Sequence, residues 1–262
     1  WLGENSVFPA TLVSVIFLLH IGHAFISGSS ILLIQLNKGT GIKITWHILF
    51  IFLIYFSLVF FSFLDLTGEV QLPFPILPPA VLMLLGGLLG YYVLSYKIDQ
   101  TDQFYNHPDI GKSFFWVGFA LSTMTWAWVI FKENQSMIEF FNHVFIYGQV
   151  AFSLLFFLYL MANFSEILNS GKDIEKIIFK PQFFAYFHMR IGEIMSVVVL
   201  TIYADGIIGV QLASGSSNIN AEYYYQTDSP LQAAILYESS WTQYRKNDKA
   251  KNTAAHLRFS LN

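Results

Sequence analysis

Ile44–Leu64 reads ITWHILFIFLIYFSLVFFSFL, twenty-one residues without an Asp, Glu, Lys or Arg. A helix needs about 20 apolar residues to cross the hydrocarbon of a bilayer, so this run is a transmembrane helix by length and composition. Five more runs are long enough to cross: Val7–Leu36, Phe74–Tyr96, Ser113–Phe131, Met137–Phe164 and Phe183–Leu212. They are far longer than the ~10-residue alternating strands of a membrane barrel. In lipid every backbone polar group must be satisfied within the span, which a helix does by itself. The predicted fold is all-α, a polytopic membrane bundle of six transmembrane helices over residues 1–212, followed by an extramembrane C-terminal arm over 213–262.

Composition agrees. Hydrophobic residues make up 55% of the chain and charged residues 12%, against roughly 25% charged in soluble domains. The net charge of −3 gives no basic footprint for nucleic acid. Without cysteine the chain has no disulfide, thiolate metal site or thiol nucleophile. Walker, Gly-x-Ser-x-Gly and His-Glu-x-x-His motifs do not occur.

The loops carry the topology. If the runs alternate sides, the first, third and fifth loops hold Lys38, Lys43, Lys97, Lys112, Lys172, Lys176 and Lys180, while the second and fourth hold only Lys132. The positive-inside rule puts the lysine-rich loops in the cytoplasm or matrix and both chain ends on the opposite side. From Ala213 the sequence turns to Ser, Asn, Gln and Tyr, with Ser214-Gly-Ser-Ser217 and Tyr223-Tyr-Tyr225. Pro230 suits a helix start, and Leu231, Ala234, Ile235 and Trp241 would form its apolar stripe. This segment reads as an arm lying on partner subunits.

Ionisable residues inside spans are costly and therefore informative. His20, His23, His47, His143, His188, Arg190 and Glu193 are the candidates. Arg190 and Glu193, three apart, share a helix face and can pair; a paired structural charge is favoured over a proton or substrate pathway. His20, His23, His143 and His188 are alternative haem ligands, since two histidines on facing helices can hold a haem iron. A polar residue satisfying helix-to-helix contacts is the commoner use of such a side chain. Gly86-Gly87-x-x-Gly90 offers close approach to another helix, and Trp116, Trp126 and Trp128 suit interfacial anchoring and aromatic packing. Asp102, His107 and Asp109 read as a solvated turn.

In order along the chain, Trp46-His-Ile-Leu-Phe-Ile51, Val59-Phe-Phe-Ser-Phe63, the link Leu72-Pro-Phe-Pro-Ile-Leu-Pro-Pro79 and Leu84-Leu-Gly-Gly87 resemble subunit III of cytochrome c oxidase and related haem-copper oxidases. The resemblance continues in His143-Val144-Phe-Ile-Tyr-Gly148, in Tyr186-Phe-His188 and in Val199-Leu-Thr-Ile-Tyr203. It covers Ile44 to Tyr203, so the family-motif positions are His143, Val144, Gly148, Tyr186 and His188. It implies that these five spans are similar to the family's third to seventh helices and the first span to its second, with the family's first helix missing before Trp1. The chain departs from the family in having no acidic residue in Ile44–Leu64. It also has Ile191, not an acid, three residues after His188.

The resemblance implies a non-catalytic subunit that binds no cofactor of its own. Haem and copper would reside in a catalytic partner subunit, which this chain would stabilise while holding phospholipid and supporting proton uptake. Other membrane subunits and lipids would be its partners. Twenty-seven Phe with no Cys suit an AT-rich genome such as a mitochondrial one. The location implied is the mitochondrial inner membrane, or a bacterial plasma membrane, with the C-terminal arm on the intermembrane or periplasmic side. From the residues themselves, a haem b-binding, quinone-reactive cytochrome anchor and a small membrane transporter remain as alternatives.

Overall fold

The structure is a computed structural model that describes residues 7–37, 43–68, 73–100, 108–168, 186–204 and 206–261. Among them the chain forms α1 (Val7–His20), α2 (Ala24–Leu36), α3 (Thr45–Thr67), α4 (Pro79–Gln100), α5 (Pro108–Phe131), α6 (Gln135–Leu168), α7 (Tyr186–Tyr203), α8 (Ile207–Gln226), α9 (Pro230–Gln243) and α10 (Asp248–Leu261), and no strand. Five helical stretches are long and apolar enough to cross a membrane: Phe8–Leu36, Thr45–Thr67, Pro79–Ile98, Asp109–Phe131 and Gln135–Glu166. Tyr186–Ile202 with Ile207–Gln226 passes as a sixth only as a broken pair. The chain is an all-α membrane protein. Its spans present Trp46, Phe114, Phe131 and Phe187 outward, each at least 70% exposed, as lipid-facing side chains are.

Three boundaries differ from the sequence reading, each for a local reason. The first apolar run is not one helix but α1 and α2, parted by a turn over Ile21–His23. Gly22 sits at that break, and the Ser153 hydroxyl donates to its carbonyl oxygen at 3.1 Å, satisfying an acceptor that the interrupted helix frees. The third run starts its helix at Pro79 rather than Phe74: residues 73–78 form no helix, and Pro75 and Pro78 disfavour the helical conformation in the residue before each. The last run ends in α7, and the chain resumes as α8 after Gly206, whose φ of +70° is left-handed. Lys38, Lys172, Lys176, Lys180, Asp102, His107 and the start of the Phe183 run lie outside the described residues.

The chain divides into two compact units. The larger comprises Leu18–Phe119 and Phe145–Leu200. In it α2 packs on α3 and α4. Gly86, Gly87 and Gly90 do allow close approach there: a Cβ on Gly86 would lie 3.2 Å from the Phe25 ring, and one on Gly87 2.3 Å from the Phe119 ring. Aromatic pairs fill the remaining space, including Phe52 on Phe157 at 4.0 Å and Phe25 on Tyr55 at 4.5 Å between ring centres. The Tyr55 hydroxyl donates to Gln149 Oε1 at 2.5 Å.

The other unit comprises Trp1–Phe17, Ala120–Val144 and Thr201–Asn262. Here α9 packs on both α8 and α10. Residue 213, the boundary expected between membrane domain and arm, falls inside α8. The turn to polar composition there is a packing stripe: Gln211, Ser214, Gly215 and Asn218 are buried at the 3- and 4-residue spacing of one helix face. In α9 the buried stripe is Ala233, Ala234, Tyr237 and Ser240, whereas Leu231 and Ile235 are about half exposed. The expected apolar stripe is therefore corrected. Small side chains let α9 lie close between its neighbours, and the larger aliphatics are left outside. Helix α10 was not anticipated; Asn247 starts it, its Oδ1 accepting from the Ala250 N–H at 3.3 Å, a helix N-cap arrangement. Of the three tryptophans expected to serve interfacial anchoring and aromatic packing, Trp126 is 2% exposed and stacks on Phe141, and so serves the packing.

Candidate functional site

A polar cluster lies inside the larger unit. It is assembled from the α1–α2 break, the C-terminal end of α4 and the first two turns of α7. Arg190 is its centre. Its Nη1 donates to Glu193 Oε2 at 2.8 Å, the i,i+3 pairing that one face of α7 permits. Its Nε and Nη2 both donate to the Tyr186 hydroxyl oxygen, at 3.0 and 2.6 Å. Across from α7, Nη1 is 3.0 Å from His23 Nδ1 and Nη2 is 3.2 Å from His23 Nε2. Lys97 Nζ donates to the same Tyr186 oxygen at 3.3 Å.

Burial is uneven across the cluster. Glu193 has no exposed surface, and its second oxygen, Oε1, has no hydrogen-bond partner among the described residues. His23 is 4% exposed and stacked on Phe156, with ring centres 5.0 Å apart. The α1–α2 break is what presents it: the residue lies in the turn, not on a helix face, and its carbonyl accepts from the Ser27 hydroxyl at 2.9 Å. His20 stands exposed at the rim, edge-on to Phe115. Beside the cluster is a cavity of about 50 Å3, bordered by His20, His23, Ser27, Val93, Lys97 and Arg190 among others.

The other candidate histidines stand elsewhere. His143 is buried in α6 with Nδ1 2.8 Å from the Glu139 carbonyl oxygen. Val144 beside it is buried too, and Gly148, one turn on, has Leu19 against it. His188 is exposed on α7, edge-on to Phe187, and His47 is exposed on α3. No group of three or more His, Cys, Asp or Glu with metal-site spacing occurs among the described residues.

A second feature of the larger unit is an apolar groove of about 480 Å3 bordered by Phe50, Leu53, Ile54, Phe61, Phe74 and Leu77 among others. Its walls are α3 and the proline link. Acyl chains suit such a surface; a charged substrate does not.

The smaller unit contains a polar ladder that sequence reading missed. The Ser214 and Ser136 hydroxyls are 2.8 Å apart, as are those of Ser214 and Ser240, and Asn247 Nδ2 donates to Ser240 Oγ at 2.8 Å. Asn134 Nδ2 donates to the Gly215 carbonyl at 2.9 Å. At one end the Tyr244 hydroxyl donates to Glu139 Oε2, and Gln211 Nε2 donates to the same oxygen at 3.3 Å. At the other, Glu222 accepts from Lys132 and Lys249, each at 3.2 Å. The Ser/Asn stripe of α8 was the available signal. Its partners on α6 and α9 are far away in sequence, which hid the ladder.

Burial, followed by the hydrogen bond to the Glu139 carboxylate, pushes the Tyr244 phenol well above the usual tyrosine range. A group whose folded pKa is raised contributes stability that is complete below its unfolded pKa, near 10 for Tyr, and is lost as pH rises past that value. The stability of this unit should therefore decline above about pH 10, and part of that decline should vanish in Tyr244→Phe. The variant should itself cost about 1–3 kcal/mol near neutrality, because Glu139 and Gln211 lose a buried partner. Thermal melts followed by circular dichroism across the alkaline range would measure both effects.

No protein-family model, curated protein or solved structure matches this chain.

Proposed function

We propose that the chain is a non-catalytic membrane subunit of a respiratory haem-copper oxidase, of the subunit III type. The observation that carries the reading is the apolar groove. Its walls, Phe50 to Phe61 and Phe74 to Leu77, come from the same two segments whose order resembles that family. A groove of this size and character suits phospholipid acyl chains, the cargo such a subunit would hold beside its catalytic neighbour. The haem and copper would then belong to that neighbour.

The histidine geometry supports the same choice over a haem-binding anchor. His20 and His23 flank a cavity of about 50 Å3, whereas cofactor sites run to about 300–1,000 Å3. His23 has both ring nitrogens against Arg190. A haem on His23 would have to displace Arg190 from its ring nitrogens. Arg190 and Glu193 fit a paired structural charge in this role.

The membrane proposed is the mitochondrial inner membrane, with residues 213–262 on the intermembrane side, on the strength of the lysine asymmetry between loops. The meeting of Lys97 with Tyr186 supports it, since the end of α4 and the start of α7 adjoin the two loops assigned to the matrix. Protease added from the matrix side should leave 213–262 intact, and loss of that segment would reverse the topology. The functional test is to purify the tagged chain in a mild detergent and assay haem and copper per complex. The chain should bring down a haem- and copper-containing assembly. His143→Gln and His188→Gln should each leave haem per complex unchanged. Loss of one haem from an otherwise intact assembly would reject the proposal in favour of a cytochrome anchor.

A further inference from the structure

We infer that the corner between α9 and α10 is a docking surface for anionic phospholipid headgroups, formed by Arg245, Lys246 and Lys251 around Trp241. All three cations are exposed, and none has an ion-pair partner among the described residues. The ion-paired carboxylates of the arm are engaged elsewhere: Glu222 holds Lys132 and Lys249, and Glu238 holds Arg258. Asp248 is the one carboxylate on the corner itself, and Asp228 lies at the opposite end of α9. The corner is therefore net positive in a chain whose overall charge is −3.

Trp241 gives these charges a fixed geometry. It packs on the buried cluster that joins α8, α9 and α10. The Arg245 guanidinium carbon lies 4.1 Å, and Lys251 Nζ 5.6 Å, from its ring centre, both within reach of a cation–π contact. Two like charges on one ring repel, and a phosphate beside them turns that repulsion into two attractions. The guanidinium also offers a phosphate two parallel N–H donors. Because the ring already orders these side chains, less freedom is lost when a headgroup binds. Tryptophan with long cationic side chains is also what membrane–water interfaces favour.

Depth selects lipid over an acidic protein. The apolar stretch of α6, Gln135–Glu166, is 32 residues long, or about 48 Å at 1.5 Å per residue. A bilayer with its headgroups measures about 40–45 Å, so the first turns of α6 lie at headgroup level. The corner is tied to those turns. The Tyr244 hydroxyl donates to Glu139, one turn into α6, and Lys249 Nζ donates to the Lys132 carbonyl just before it. Arg245 and Lys246 follow Tyr244 directly, which places them where lipid phosphates are. The inference needs α6 to cross a membrane and does not rest on membership in an oxidase.

The experiment uses the full chain in a neutral detergent. It has no cysteine, so Asn252→Cys, exposed next to Lys251, carries a single fluorophore. Phosphatidylglycerol bearing a nitroxide on its acyl chain is titrated in, against phosphatidylcholine bearing the same nitroxide. Quenching by phosphatidylglycerol should saturate, with an affinity at least about fivefold higher, the order expected of one cationic side chain at an anionic surface. Arg245→Gln with Lys246→Gln and Lys251→Gln should weaken it about tenfold or more, with far-UV circular dichroism unchanged. Arg245→Lys with Lys246→Arg and Lys251→Arg should retain most of it. Should the triple glutamine variant fail to fold, the wild-type titration is repeated at about 1 M salt, where the screening length is about 3 Å, and the preference for phosphatidylglycerol should collapse. Equal quenching by the two lipids, a preference that survives salt, or wild-type affinity in the folded triple glutamine variant would overturn the inference. So would protection of the three cations by a co-purified acidic protein without any preference for phosphatidylglycerol.

Discussion

Glu193→Gln should reduce the amount of folded protein recovered and lower its melting temperature. Glu193 is fully buried, and its Oε2 is the only carboxylate oxygen that accepts from Arg190 among the described residues. Removing one member of a buried pair strands the other charge, at a typical cost of about 3–5 kcal/mol. Insertion scales give a similar figure, about 2.5–3.5 kcal/mol, for a charge at the centre of a membrane helix. Arg190 keeps Tyr186 and His23 as neighbours and is a quarter exposed, so the lower end applies. For a chain of this size about 3 kcal/mol corresponds to a fall of roughly 6–12 °C in Tm. The double variant Arg190→Gln with Glu193→Gln should recover part of that loss, since neither residue then carries a charge. The comparison is made on detergent-purified protein by thermal melting and recovered yield. A Glu193→Gln chain that melts normally and assembles fully, but stops proton uptake in the assembly, would make this carboxylate part of a proton route instead.

Gly22→Ala should be nearly as damaging, through packing rather than charge. A Cβ on Gly22 would lie 2.8 Å from Phe152 Cγ and 2.9 Å from Phe152 Cβ. The second contact involves the atom nearest the α6 backbone, so a rotation of the Phe152 ring cannot relieve it. Overpacking of this kind costs typically about 1–3 kcal/mol, and Gly22→Leu should exceed it. Any widening of the contact also moves the Gly22 carbonyl from Ser153 and turns His23 away from Arg190. Phe152→Ala should suppress the defect of Gly22→Ala in part. Gly209→Ala is the control: nothing lies within 4 Å of its Cβ position, and replacing glycine within a helix stabilises by about 0.5–1 kcal/mol. Equal melting temperatures for Gly22→Ala and Gly209→Ala would show that α6 does not press on the break.

The spans could be read because lipid demands long uninterrupted apolarity, a property of composition alone. Their interruptions could not. Gly22 falls inside a run that stays apolar on both sides, and the break depends on Phe152 and Ser153, more than a hundred residues away. The pairing of Arg190 with Glu193 was legible because three-residue spacing is a local property of a helix. That His23 and Tyr186 converge on Arg190, with Lys97 on the same Tyr186 oxygen, was not, and Lys97 read simply as one more loop lysine. Helices α9 and α10 show the reverse limit. Their buried faces are built from Ala233, Ala234, Ala250 and Ala254, residues too small to stand out as a hydrophobic stripe, while the larger Leu231 and Ile235 point outward.

The accessory-subunit reading is tested most directly by reduced-minus-oxidised optical spectra of the isolated chain and of the assembly it purifies with. The account predicts haem absorption in the assembly and no Soret band in the isolated, folded chain. A bis-histidine b-type spectrum from the chain alone would contradict it.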